Sequence, residues 1–123
     1  MRRAIIAGLT ALLAIGGPAL KAYAQDPSAR CVSLKNKQMT IASAQGRGLD
    51  IENFSAIETL TFLKAFNAAP PKSNFVATKM FAAVGRDRAY VFFENGEDLC
   101  TPPSPLSRAS YEALVEEAHG DGA

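Results

Sequence analysis

Twelve carboxylates, two cysteines and a single histidine are the groups in this 123-residue chain that could do chemistry. His119 is the residue type best suited to acid–base work or metal ligation near neutral pH. It opens the run His119-Gly-Asp-Gly-Ala, which reads as a frayed tail over 119–123. A group without packing is not held to the tolerance that catalysis demands. No G-x-S-x-G elbow, phosphate-binding loop or H-E-x-x-H helix occurs, and Gly46-Arg47-Gly48 is too short for a dinucleotide fingerprint. The sequence therefore assigns no catalytic residue, no cofactor and no metal site.

The carboxylates fall into two groups with some chemical interest. Glu94, Glu97 and Asp98 flank Asn95-Gly96 and could offer oxygen ligands to a hard cation, but the spacing does not match a calcium loop. They read as a solvated turn. Asp50, Glu52 and Asp87 could serve glycoside hydrolysis if a cleft held two of them at a defined separation. The chain has no tryptophan on which a sugar could stack. A small carboxylate-based hydrolase is thus kept as an alternative function.

Cys31 and Cys100 allow one intramolecular pairing, and no C-x-x-C spacing points to redox work. A disulfide between them closes a loop of about 70 residues, worth about 4 kcal/mol in the chain-entropy picture. The richest non-titratable set is aromatic: Phe75, Phe81, Tyr90, Phe92 and Phe93, expected on one sheet and offered as a candidate binding face. Adjacent Phe92 and Phe93 must point to opposite faces. One face requires cover by helices, by a partner protein or by a small apolar ligand. Lys79, Arg86 and Arg88 lie nearby as a candidate rim for an anionic partner.

The elements that must position these groups follow from period and punctuation. A helix is expected over about 33–45, ended by Gly46-Arg47-Gly48. Alternating Leu49-Asp50-Ile51-Glu52 is a short strand. Ser55 with Glu58 forms a capping box, opening a core helix over 56–68 whose apolar face is Ile57, Leu60, Phe62, Leu63 and Phe66. Residues 75–84 and 89–94 read as an antiparallel hairpin. Asn95-Gly96 then makes a tight turn into a third strand over 97–101. Pro102-Pro103-Ser104-Pro105 satisfies a P-x-x-P pattern but reads as a rigid exit from the sheet. A last helix is expected from Ser107 to about Ala118, with Tyr111, Leu114, Val115 and Ala118 on its apolar stripe. The expected fold is a small single α+β domain: three or four mostly antiparallel strands, two or three helices and one disulfide.

The N-terminus supplies the setting. Arg2-Arg3, the largely apolar stretch 4–15 and Ala22-Tyr23-Ala24 have the layout of a secretory signal peptide over 1–24, of bacterial appearance. Residues 25–123 are then the exported domain, periplasmic or secreted, with no later run long enough to span a membrane. The formal charge of +1 becomes −2 once Arg2, Arg3 and Lys21 depart. Bases gather in residues 28–47 and acids in residues 94–123, an asymmetry that argues against general nucleic-acid binding. The expected function is a non-catalytic binding or accessory protein of the envelope, not an enzyme. A self-associating envelope component that pairs through an open strand edge is a further alternative. Neither the partner nor the oligomeric state is legible.

Overall fold

Met80-Phe81-Ala82-Ala83-Val84 and Ala89-Tyr90-Val91-Phe92-Phe93 are apolar at nearly every position, so the hairpin they form needs cover on both faces. In the computed structural model, which describes residues 29–67, 70–71 and 74–122, that requirement organises the molecule. The elements are β1 (Arg30–Ser33), a 3-10 turn, α1 (Lys37–Gly46), β2 (Asp50–Phe54), α2 (Ala56–Phe66), β3 (Lys79–Val84), β4 (Arg88–Glu94), β5 (Asp98–Thr101), β6 (Leu106–Ser107) and α3 (Arg108–Gly122). The sheet runs β1-β5-β4-β3-β2, with β6 also paired to β4, and every pairing is antiparallel. The chain is therefore α+β, with three helices and one disulfide among the described residues. None of these helices is long and apolar enough to cross a membrane. The expected leader over 1–24 lies outside the described residues.

One face packs Met80, Ala82, Val84, Ala89, Val91 and Phe93 against Phe62 of α2 and against Tyr111 and Ala118 of α3. The opposite face carries Phe81, Ala83, Tyr90 and Phe92, and α1 lies across it. There the rings of Phe81 and Phe92 stack at 4.8 Å. Lys37, at the start of α1, sets its Nζ 5.7 Å from the Phe81 ring centre and 2.7 Å from the carboxylate of the buried Glu94. The lysine stem covers aromatic surface while its charge meets an acid, a use of both ends of the side chain.

The sheet holds six strands, where the sequence predicts three or four. β1 and β6 are the unexpected ones. β1 is four residues long and exposed throughout, and β6 has two residues, so neither offers an alternating pattern. β1 takes residues 30–33 into the sheet, and the helix predicted from 33 begins at Lys37 after the 3-10 turn. Cys31 stands directly opposite Cys100 across β1 and β5, with the Cα atoms 4.1 Å apart, and the disulfide joins them.

Other boundaries shift for local reasons. β3 starts at Lys79, not at residue 75; the coil before it is clasped to β4 by Thr78, whose N–H and hydroxyl both donate to the Glu94 carbonyl. The capping box is present: Ser55 N–H donates to Glu58 at 2.8 Å and Glu58 N–H to the Ser55 hydroxyl at 3.2 Å. α2 ends at Phe66 because Asn67 takes a left-handed φ of 53° and donates to the Leu63 carbonyl. Its buried line is Thr59 and Phe62, with Leu63 and Phe66 half-buried, whereas Ile57 and Leu60 are exposed. The turn after β4 centres on Gly96-Glu97, one residue later than predicted. Asn95 Oδ1 accepts the N–H groups of Glu97 and Asp98, and Gly96 holds φ at 98°. α3 continues through Gly122, past the predicted end at Ala118. His119 is thus on a helix, with its ring 3.3 Å from Glu58.

Three variants test this account. Replacing Cys31 and Cys100 together by serine lowers unfolding free energy by about 4 kcal/mol, read from denaturant melts; a loss under about 1 kcal/mol would show that β1 contributes no constraint. Lys37→Met costs about 1–3 kcal/mol because Glu94 is left without its cation. The double variant Lys37→Met/Glu94→Leu regains most of that loss, since an apolar pair replaces a part-buried ionic one.

Candidate functional site

The aromatic residues do not share one surface. Phe93 is buried in the core beneath α2 and α3, and Phe75, in the coil before β3, packs against that same core. Phe81 is fully buried on the opposite face, while Tyr90 and Phe92 are half-covered there. Phe75 and Phe81 would share a face if the strand began at residue 75; the coil places them on opposite sides of the sheet.

The basic residues regroup. Lys79 opens β3 opposite Glu94, whereas Arg86 and Arg88 belong to the turn at the other end of that strand. At that end a cleft of about 310 Å³ is lined by Arg47, Leu49, Gly85, Arg86, Asp87, Arg88 and Tyr90. Arg47 follows the last turn of α1, donating its N–H to the Ala44 carbonyl, and its guanidinium carbon sits 5.8 Å from the Tyr90 ring centre. Gly48, at φ 83°, turns the chain so that Leu49 comes back over the cleft floor. A Cβ on Gly85 would fall 2.9 Å from Leu49 Cδ2, so glycine lets the leucine lie against the turn.

The turn bearing Arg86 and Arg88 is held from two directions. Gly85 N–H donates to the Arg88 carbonyl at 2.8 Å, closing the hairpin. From behind, Arg108 of α3 donates its backbone N–H to the Asp87 carbonyl at 2.9 Å and its Nη1 to the Gly85 carbonyl at 2.8 Å. The Nε of Arg108 also meets Glu112 at 2.8 Å, which holds the guanidinium charged beyond its ordinary range. Arg47, Arg86 and Arg88 make no ion pair among the described residues, and all three line the cleft together with one acid, Asp87. Such an arrangement can receive an oxyanion, because a guanidinium presents a planar fork of donors matched to carboxylate or phosphate. Arg47 is the member the sequence reading passed over. It sits inside what looks like a simple Gly-Arg-Gly break; the one hint was the absence of acids between residues 28 and 47.

A second groove, of about 560 Å³, lies along α3 and is lined by Glu52, Val84, Arg108, Tyr111, Glu112, Val115, Glu116 and His119. The buried Tyr111 donates its hydroxyl to Glu52 in a short hydrogen bond. Burial first, and then this bond, push the tyrosine well above its ordinary range, so it stays protonated and anchors Glu52. Among the three carboxylates singled out in the sequence, Glu52 lines this groove and Asp87 the basic cleft. Asp50 lines neither, although its charge reaches Arg108. Glu94 of the acidic turn is committed to Lys37, and no cluster of three ligating side chains able to hold a metal ion occurs among the described residues.

No family model matches this chain, and no curated protein or solved structure matches it either.

Tyr111 gives a pH test with a definite sign. The folded chain keeps a proton that an unfolded tyrosine releases near pH 10. Its contribution to stability is complete below that pH and is lost as the pH climbs beyond it. Chemical denaturation between pH 8 and 11 shows this decline in the native sequence. Tyr111→Phe flattens it and costs about 1 kcal/mol at neutral pH.

Proposed function

We propose that this protein is a small exported, non-catalytic binding or accessory module that holds an anionic partner in the cleft of Arg47, Arg86 and Arg88. The observation that carries the reading is the convergence of three guanidinium groups, from α1 and from the β3–β4 turn, on one concavity with a clamped backbone. The Cys31–Cys100 staple suits the oxidising compartment to which the N-terminal segment points. An apolar ligand on the sheet has less to recommend it, since helices lie over both sheet faces. The hydrolase alternative is weakened because Glu52 and Asp87 line different clefts and Glu52 is tied to Tyr111. Pairing through β1 or β2, the edge strands, is the self-associating alternative; sedimentation that shifts with concentration would favour it.

The test is a titration of the exported protein with inorganic phosphate and with sulfate, followed by NMR at the arginine side chains. A saturable response at Arg47, Arg86 and Arg88 is expected, weakened at least tenfold, about 1.4 kcal/mol, in the triple glutamine variant. No saturable response to either anion, or a response indifferent to the triple substitution, would overturn the reading.

A further inference from the structure

The basic cleft also limits what kind of anion it takes. Building on the binding role proposed above, we infer that its ligand is a single sugar-sized molecule carrying one oxyanion and free hydroxyls, such as a sugar phosphate or sugar acid, and not a polyanionic chain.

Three observations lead there. The first is size: the cleft is open to solvent and of about 310 Å³, at the small end of the range of small-molecule sites. The second is that no basic track leads away from the cleft among the described residues of this sheet face. A polyanion needs cations spaced along a surface, as nucleic acids do. Lys79 stands roughly 17 Å from the cleft by strand rise. Lys37, the base of α1 that lies over the same sheet face, is committed to Glu94 and to the Phe81 ring. Among the described residues of this face, the unpaired positive charge therefore stays in one place.

The third observation is Asp87. Asp87 lines the cleft with the three arginines, and its backbone is fixed there by the Arg108 N–H. A carboxylate only accepts hydrogen bonds when ionised, so it repels a second phosphate and receives a hydroxyl. Leu49 and Tyr90 supply an apolar wall beside these charges. An oxyanion bound by arginine forks, with hydroxyls turned to Asp87 and a carbon skeleton against Leu49 and Tyr90, uses each of these groups.

Calorimetric titration of the exported protein distinguishes the possibilities with four probes: glucose 6-phosphate, glucuronate, inorganic phosphate and heparin. Glucose 6-phosphate or glucuronate should bind at least tenfold more tightly than inorganic phosphate, and more tightly than heparin per site. The sugar-phosphate arm winning points to phosphate as the head group, and the glucuronate arm winning to carboxylate. Asp87→Asn should bring the affinities for glucose 6-phosphate and inorganic phosphate together, whereas Arg86→Gln should weaken both. Inorganic phosphate or heparin binding as tightly as the sugar derivatives, or an Asp87→Asn variant that keeps the preference, would overturn the hydroxylated-ligand inference and leave the anion-binding role standing. Failure of all four probes to bind would remove the anion-binding role as well.

Discussion

The constraint on which everything else rests is the two-sided apolar character of the β3–β4 hairpin. A sheet that is polar on one side can leave that side to water; this one cannot, because Phe81 and Ala83 are as deeply buried as Met80 and Ala82. The chain must therefore divide its three helices between the two faces. α2 and α3 close one face around Phe62 and Tyr111, and α1 closes the other. A helix whose apolar character is weak can do this because Lys37 fills the gap with its stem and delivers its charge to Glu94.

The same division creates the candidate site. With α1 laid over the second face, the residue after its last turn arrives beside the β3–β4 turn, where Arg86 and Arg88 already stand. Arg47 lies over Tyr90 in the way Lys37 lies over Phe81, so covering an aromatic face with basic residues brings positive charge to one end of the sheet. That charge is left without ion-pair partners among the described residues in Arg47, Arg86 and Arg88, unlike the charge on Lys37.

Much of the fold was legible in the sequence because its signals are local. The Ser55–Glu58 box, the hairpin strands, the Tyr111–Ala118 stripe and the pairing of the only two cysteines each depend on a few neighbouring residues. What escaped depends on partners distant in the chain. β1 is wholly exposed and is a strand only because β5 pairs with it. Ile57 and Leu60 fit the helical period, yet the helix settles with Thr59 and Phe62 inward because those positions meet the sheet. Arg86 and Arg88 were recognised as neighbours, but grouping them with Lys79 ignored the length of β3. Nothing local could show that Arg47, about 40 positions earlier, completes their cleft.

Arg108 joins regions that otherwise lie on different sides of the molecule. Its main chain and side chain grip the Gly85–Arg88 turn, while the same side chain borders the groove along α3. The turn and the first coil of α3 are consequently one mechanical unit. One residue at the start of α3 thus fastens the arginine-bearing turn at two carbonyls, those of Gly85 and Asp87.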